Sequence, residues 1–446
     1  MMKILGHALI STFGENHTII EDGAVAYKDD KIYGVGTTEE IKKRFPSAKF
    51  RSAFGRLLTP GIINAHMHLY STFARGIALK TQPAENFPQI LERLWWHLDR
   101  SLKPEDVEYS ALIPLMDAVR NGVTTLIDHH SSPHALGGSL EILKKSFRKF
   151  GLRGCLCYEV SDRDGASRRD AGIEENANFI RGLKLENEKD IAGIFGLHAS
   201  FTLEDPTLSR VSELIKSLKC GVHIHAAEDR SDLEDARRRG YRSVIDRLHR
   251  FGLTGHDSIF AHCVHVDQID FQTLALTKTN VVHNPRSNMN NAVGCANVEH
   301  MMSEKIPVAL GTDGFSASPL ADLTTANILH KHNSKDPRKI YAEVWKMFSR
   351  NNPALAHRLF KIPLGVLEEG AGSDMVLWNY YPPTPISASN TLGHVLFGLS
   401  SATTREVICQ GKTIYENGKF SLISEDEEVA IHAKSRELAQ ALWDRL

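Results

Sequence analysis

The chain has 446 residues, of which 42% are hydrophobic and 24% charged, as in a folded globular protein with no bias towards disorder. Its 53 basic and 54 acidic residues give a formal net charge of −1, so nothing in the charge predicts a nucleic acid or an anionic membrane as partner. No apolar stretch reaches the about 18 residues of a membrane span and no leader pattern is visible, so we expect a cytoplasmic protein.

The two chain ends are rich in predicted strands. Residues 23–35 read GAVAYKDDKIYGV, which predicts a hairpin that turns at Asp29-Asp30. Residues 407–420 read VICQGKTIYENGKF, with a strong Asn417-Gly418 turn. We therefore predict a small β-sandwich built from residues 1–56 and 366–446, with a C-terminal helix over residues 426–446.

Between residues 57 and 365, short apolar runs alternate with amphipathic stretches. Eight such runs occur, namely PGIINAHMH, TTLID, GCLCYEV, IFGLH, GVHIH, IFAH, NVVH and PVALGTD. Eight strands alternating with helices predict an α/β fold, a parallel (β/α)8 TIM-like barrel, whose chemistry lies where the strands end. Five of the runs end in histidine and the last ends in Asp313, so residues able to bind a metal or a substrate recur at the carboxyl ends of the runs.

A metal site is predicted at the strand ends. His66 and His68 stand two residues apart and so share one face of a strand, although two unrelated histidines would give the same pattern. His225 ends the fifth run, and Asp313 follows the eighth, where it could otherwise cap the next helix. Three imidazoles and a carboxylate suit zinc or ferrous iron with one position open for water.

Two further side chains are candidates for proton transfer. Glu228 stands three residues after His225 and could move a proton to or from a metal-bound water, or else be a surface residue. His262 ends the sixth run, a place that suits a hydrogen bond to the attacking water or to a developing oxyanion, with metal ligation as a lesser alternative. By contrast, we interpret His223 as a core histidine.

The motifs PGIINAHMH, HIHAAE, AHCVH, HNPRSN and LGTDG, followed by GVLEEGAGSDMVLW, resemble the amidohydrolase superfamily. The resemblance is to its mononuclear aminohydrolase and chlorohydrolase (TRZ/ATZ-like) branch, which includes guanine and cytosine deaminases and triazine hydrolases. Further stretches, LERLWWHLDR, DHHSSPHALGGSL and HNPRSNMNNAVG, are similar to the SsnA-type aminohydrolases associated with selenium metabolism.

The resemblance implies one divalent metal on His66, His68, His225 and Asp313, with zinc favoured and ferrous iron as the alternative. It also implies proton transfer by Glu228 and orientation of water or substrate by His262. Binuclear relatives carry a carboxylated lysine where this chain has His198, which favours a single metal. Related deaminases use a histidine at this position to contact substrate, so the resemblance implies that His198 does the same.

The loop and helix after the first barrel strand supply further candidates for substrate binding. Trp96, with its neighbour Trp95, and Arg75 could form a lid, although a tandem tryptophan at helical spacing is also typical of a core. Relatives carry a lysine after the HNP motif, and here residues 286–291 read RSNMNN, so no relative's substrate can be transferred directly.

Hydrolytic deamination of an amino-substituted N-heterocycle, a cyclic amidine, is the function that these residues favour. A chlorohydrolase-type removal of another ring substituent needs the same site. A low-activity scaffold or partner for a molybdenum or selenium hydroxylase is the alternative from a different class. The expected partners are a small heterocyclic substrate and water, with a homodimer suggested by analogy.

Overall fold

The computed structural model describes residues 1–446 and contains eighteen strands. They are β1 (Lys3–Ser11), β2 (Ile19–Lys28), β3 (Lys31–Thr37), β4 (Lys49–Ser52), β5 (Leu57–Pro60), β6 (Ile62–Met67), β7 (Val123–Asp128), β8 (Arg153–Leu156), β9 (Ile191–Gly193), β10 (Phe195–Ala199), β11 (Val222–Ala226), β12 (Ile259–His262), β13 (Asn280–His283), β14 (Val308–Leu310), β15 (Met375–Trp378), β16 (Thr404–Cys409), β17 (Lys412–Glu416) and β18 (Lys419–Phe420).

Seventeen α-helices connect or flank the strands. They are α1 (Thr38–Arg44), α2 (Phe87–Ile90), α3 (Trp96–Ser101), α4 (Pro104–Arg120), α5 (Ser139–Phe150), α6 (Ala166–Glu186), α7 (Asp205–Leu218), α8 (Arg230–Arg238), α9 (Val244–Arg250), α10 (Gln268–Thr277), α11 (Pro285–Asn290), α12 (Val298–Ser303), α13 (Pro319–Ser334), α14 (Tyr341–Lys346), α15 (Asn352–Phe360), α16 (Thr391–Phe397) and α17 (Glu425–Trp443). Short 3-10 helices cover Leu69–Ala74, Ser200–Thr202 and Leu399–Ser401, and π-helical turns cover Leu91–Trp95 and Met347–Asn351. No helix is both long and apolar enough to cross a membrane.

The eight predicted runs all form strands of a parallel barrel. Strands β6, β7, β8 and the short β9 make one arc, and β10 to β14 make the other. Parallel bridges between Val160 and Leu197 and between Met67 and Asp313 join the arcs at both seams. The predicted α/β barrel is therefore confirmed.

Both chain ends form one nine-stranded sheet outside the barrel. Its order is β18-β17-β16-β15-β5-β1-β2-β3, with β4 beside β1, and all its pairs are antiparallel except β1 with β4 and β5. Both predicted hairpins are present, and Asn417 and Gly418 take positive φ values of 54° and 86°, as a tight two-residue turn requires. The predicted unit made of both ends is confirmed as a single continuous sheet.

The barrel interior is packed below the strand ends. Because successive strand residues point to opposite faces, Val282 faces inward and Val281 outward on β13. Inward positions carry small or branched apolar side chains, among them Ala65, Ile127 and Ile259, all buried. The outward positions join a core of 85 buried residues under the helices.

Helix α5 shows how the sequence covers the barrel. Leu140, Leu143 and Phe147 recur at helical spacing, and all are buried. The helix ends at Gly151, whose φ is 68° and whose added Cβ would lie 2.9 Å from Ile414 Cγ2. Glycine therefore allows both the left-handed end of the helix and its close approach to the outer sheet.

The predicted division into residues 1–56, 57–365 and 366–446 remains a proposal, and the strand pairing refines its first boundary. Leu57–Pro60 pairs with β1 and β15 and so belongs to the outer sheet. The chain enters the barrel at Gly61, where an added Cβ would lie 2.1 Å from Thr124 Oγ1. We therefore propose that the barrel unit begins at residue 62.

A buried ion pair connects the two units. Arg153, at the start of β8, is fully buried, and its Nε lies 2.7 Å from Asp374 Oδ2. The same guanidinium contacts Asp30 of the β2–β3 turn. Asp374 also accepts a hydrogen bond from the Gln410 backbone at 2.7 Å. An unpaired buried charge would be costly, and here the charges of Arg153 and Asp374 are paired where the barrel meets the outer sheet.

Candidate active site

Four side chains converge at the carboxyl ends of the barrel strands: His66 and His225 lie in β6 and β11, and His68 and Asp313 follow the ends of β6 and β14. His68 Nε2 lies 3.1 Å from His225 Nε2 and 3.0 Å from Asp313 Oδ1, and His66 Nε2 lies 3.4 Å from the same oxygen. All four residues are buried. The four residues predicted to bind a metal are therefore brought together.

Neighbouring groups fix which imidazole nitrogens carry protons. His68 Nδ1 lies 2.6 Å from the His129 carbonyl, and His225 Nδ1 lies 2.8 Å from the His198 carbonyl. A carbonyl can only accept, so both Nδ1 atoms donate a proton and both Nε2 atoms present lone pairs when the rings are neutral. His66 Nδ1 similarly contacts His223 Nε2 at 2.9 Å. The ring nitrogens that face Asp313 are therefore those available as ligands.

The Nε2 lone pairs and the Asp313 oxygen repel one another at these short distances unless a positive charge lies among them. Burial lowers the pKa of His66 to about 3 and the pKa of His225 well below its usual value, which keeps both rings neutral. Burial also disfavours charged His68, but contacts with Asp313 and Glu159 raise its pKa well above the usual range. Either a proton on His68 or a metal ion can supply the charge, and the nitrogen and oxygen donors fit a divalent transition metal.

Glu228 and His262 adjoin this cluster. His262 Nε2 lies 3.4 Å from Glu228 Oε2 and 3.8 Å from Asp313 Oδ2. Burial, reinforced by the negative charge of Asp313, raises the pKa of Glu228 well above its usual value. His262 Nδ1 donates to Asn288 Oδ1 at 2.8 Å, which leaves Nε2 as an acceptor, and burial lowers the pKa of this ring.

The backbone is strained where these side chains emerge. Ala227, His262 and Asp313 have φ values of 51°, 75° and 53°, in the left-handed region that non-glycine residues rarely adopt. Such residues cluster at functional sites, where the surrounding fold maintains them. At Asp313, the Ser287 hydroxyl also donates to Oδ2 and fixes the carboxylate.

A cavity of about 830 Å³, including its open mouth, lies above the cluster. Six aromatic side chains line it: Tyr70, Phe87, Trp95, Trp96, Phe201 and Phe315. Six carboxylate residues also line it: Asp99, Glu159, Glu228, Asp229, Asp232 and Asp313. No lysine or arginine does. The aromatic walls suit a small planar ligand.

The sequence model of the amidohydrolase family matches residues 57–414. This chain belongs to the amidohydrolase family. It is accordingly a hydrolytic enzyme that acts on carbon–nitrogen bonds, in a family that is typically metal-dependent. The cluster of buried histidines and Asp313 is where this amidohydrolase offers metal ligands.

Curated and solved amidohydrolases resemble the chain over nearly its whole length. A 5-methylthioadenosine/S-adenosylhomocysteine deaminase from Syntrophomonas wolfei is 29% identical, over 99% of each chain. An adenosine deaminase from Xanthomonas campestris with bound zinc superposes with a TM-score of 0.84 at 21% identity, over 98% of each chain. An atrazine chlorohydrolase from Arthrobacter aurescens TC1 does so with a TM-score of 0.80 at 18% identity, over 98% of this chain and 99% of its own. The two structures show likeness of fold alone.

Of the three predicted substrate-binding residues, two line the amidohydrolase cavity. Trp96 and His198 have ring centroids 6.4 Å apart, and His198 Nδ1 bonds Thr202 Oγ1 at 2.8 Å. Arg75 is not brought to the site. Its side chain is 47% exposed and pairs with Asp117 of α4 at 3.0 Å, because it follows a 3-10 helix that turns it towards the surface.

Sequence reasoning missed a carboxylate of this amidohydrolase. Glu159 Oε1 lies 3.2 Å from His68 Nδ1 and 3.0 Å from His129 Nδ1. Burial opposes its ionisation, but the imidazoles of His129 and His68 hold the pKa of Glu159 well below its usual value. The signal was present in the run GCLCYEV, where a glutamate stands near the end of an otherwise apolar stretch.

Proposed function

We propose that this amidohydrolase deaminates an amino-substituted N-heterocycle by hydrolysis, using one divalent metal held by His66, His68, His225 and Asp313. The observation that carries the proposal is the convergence of three imidazoles on one carboxylate: His225 Nε2 and Asp313 Oδ1 lie within 3.1 Å of His68 Nε2, and His66 Nε2 lies 3.4 Å from the same Asp313 oxygen. Glu228 and His262 stand beside them, and an aromatic cavity lies above. Zinc is the metal we favour, because three imidazoles and one carboxylate suit it, and ferrous iron is the alternative.

The metal, when bound, would lower the pKa of water and so supply a nucleophile near neutral pH. Around it, His262 Nε2 can accept a hydrogen bond from the attacking water, because its other nitrogen donates to Asn288. This acceptor role supports orientation of the water rather than stabilisation of an oxyanion. Ser287 and the two imidazoles hold Asp313 in a fixed direction.

Glu228 is proposed to carry protons between water and substrate. Its raised pKa means that the carboxyl group holds a proton in the buried site and can donate it to the ring nitrogen beside the reacting carbon. After donation, the carboxylate can accept a proton from the nucleophile and pass it to the leaving amine. This second protonation converts a poor leaving group into ammonia.

An adenine derivative is the substrate class that we favour within the heterocycles. The support is the 29% identity, over 99% of both chains, to a deaminase named for methylthioadenosine and S-adenosylhomocysteine. The tryptophans on the cavity wall could stack on a purine, because an aromatic ring can stack on the face of any planar base.

Chlorohydrolase chemistry is the second candidate, and the fold shared with an atrazine chlorohydrolase is what favours it. Chloride leaves without a proton, whereas an amine needs one. Glu228, buried and placed 3.4 Å from His262, is therefore the feature that favours the deaminase proposal. Family membership makes the chain an enzyme, which argues against the scaffold alternative.

The test is ammonia and chloride release by the zinc-loaded full chain from adenosine, 5′-methylthioadenosine, guanine, cytosine and atrazine. We expect ammonia from an adenine compound. Glu228→Gln should lower kcat by a factor of about 10² to 10⁴ with unchanged zinc content. Glu234→Gln, the same change at an exposed site on α8, is the matched control. Full activity in Glu228→Gln, or chloride as the sole product released, would contradict the proposal.

A further inference from the structure

We propose that Glu159 selects substrates by charge, so that the cavity accepts heterocycles with a neutral or positively charged, hydrogen-bond-donating substituent and rejects those bearing phosphate or carboxylate. This inference rests on the proposed deamination and adds the charge class of the substrate. It concerns a residue for which the proposed reaction has no catalytic role.

The first argument is the free oxygen of Glu159. The residue is 4% exposed and lines the cavity. Oε1 lies within ion-pair distance of His68 Nδ1 and His129 Nδ1, but neither carboxylate oxygen makes a hydrogen bond within the protein. The base nearest to Oε2, His198 Nε2, lies 3.9 Å away. A carboxylate oxygen enclosed in this way is a strong acceptor for a ligand N–H, O–H or ammonium group.

The second argument is position. Glu159 contacts the Nδ1 edge of the His68 ring, while Nε2 on the opposite edge faces Asp313. The His68 ring thus separates the Glu159 carboxylate from Asp313, and Glu159 and Asp313 line the same cavity. A substituent on a ring that reacts at the cluster is within its reach.

The third argument is the absence of compensating cations. The nearest guanidinium, Arg163, does not line the cavity, because it is buried against Asp99 and Ser131 and lies 5.4 Å from the Trp96 ring centre. Asp99 Oδ1 has no hydrogen-bond partner and also faces the cavity side. An anionic substituent on this wall, away from the proposed metal, would therefore meet carboxylates at low dielectric, with no lysine or arginine lining the cavity to neutralise it.

The experiment compares three compounds that share the adenine base and differ in charge at one position: 5′-amino-5′-deoxyadenosine, adenosine and adenosine 5′-phosphate. Binding to the zinc-loaded full chain is measured by calorimetry, and ammonia release is measured in parallel. We expect the amine to bind at least as tightly as adenosine, and the phosphate to bind at least about tenfold more weakly than adenosine.

Glu159→Gln should reduce the ratio of amine to phosphate affinity by at least about tenfold. A purely structural role through His68 would lower zinc content and weaken all three compounds alike, leaving that ratio unchanged. Glu213→Gln, an isosteric change at an exposed position of α7, controls for net charge.

The outcomes separate this inference from the proposed function. Equal affinity for phosphate and adenosine, no binding of the amine, or an unchanged ratio in Glu159→Gln would overturn the charge selection even if ammonia is released. Selective binding that Glu159→Gln abolishes, without ammonia release from any of the three compounds, would support the charge selection and overturn deamination of an adenine derivative instead.

Discussion

Replacing Arg153 by methionine should destabilise the fold severely, because it leaves a carboxylate buried without its counter-ion. Arg153 and Asp374 are 0% and 1% exposed, and their Nε–Oδ2 distance is 2.7 Å. Without the guanidinium, Asp374 retains one donor, the Gln410 backbone N–H at 2.7 Å, and Asp30 loses its partner at the turn.

The magnitude follows from that environment. Breaking a buried pair by removing one partner costs about 3–5 kcal/mol, because the remaining charge is desolvated and uncompensated. In the double variant Arg153→Met with Asp374→Asn, the amide oxygen still accepts from Gln410 and no charge is buried. The double variant should therefore lose only about 1–3 kcal/mol, the cost of an imperfectly bonded neutral polar group.

Urea unfolding followed by circular dichroism measures these free energies in the single and double variants. Arg148→Met is the control, since Arg148 forms ion pairs with Glu188 and Asp190 while 42% exposed, and its loss should cost less than about 1 kcal/mol. A double variant as unstable as Arg153→Met alone would refute the reasoning, because the penalty would then not come from the stranded charge.

Three further predictions concern the site. Chelation of the metal should lower the thermal midpoint of unfolding. Metal added at 100 times its dissociation constant should restore about 2.7 kcal/mol of the free energy of unfolding. A midpoint that does not change with metal in a calorimetric scan would contradict the proposed ligand set. Asn288→Ala should lower kcat/KM about fivefold to tenfold at constant metal content, because the His262 Nδ1 proton loses its acceptor at 2.8 Å; an unchanged kcat/KM would show that Asn288 does not fix the tautomer. Trp96→Ala should raise KM by a factor of about 5 to 150 through lost stacking. The comparison is Trp443→Ala, which removes a tryptophan that does not line the cavity, and equal effects of the two changes would exclude a ligand contact.

The periodic features of the sequence predicted the barrel and the residues that meet at its rim. In the first and fifth runs, a strand fixes which side chains share a face, so the directions of His66 and His225 follow from spacing once the strands pair, and His68 directly follows the first strand. Asp313 lies beyond β14 in a left-handed backbone conformation, so its position in the run predicted its place at the rim but not its direction. The same holds for the hairpin at Asn417-Gly418, where the turn residues determine the local geometry.

Features without a period could not be predicted in this way. Arg75 follows a 3-10 helix, and only the packing of that segment against α4 decides that its side chain points to Asp117. Glu159 lies beyond the regular part of β8, which ends at Leu156, so strand alternation does not give its direction. The first unit boundary depends on a partner, β15, that is remote in sequence from β5.

That remote pairing has a consequence for how the protein is made. The N-terminal strands β1 to β5 are synthesised first, yet the edge of β5 stays unpaired until Met375–Trp378 has left the ribosome. The edge of β5 therefore remains unpaired while all the barrel strands are synthesised. An unpaired strand edge can pair wrongly with other chains. Slow completion of the outer sheet, and a dependence of yield on chaperones, should therefore accompany the biosynthesis of this molecule.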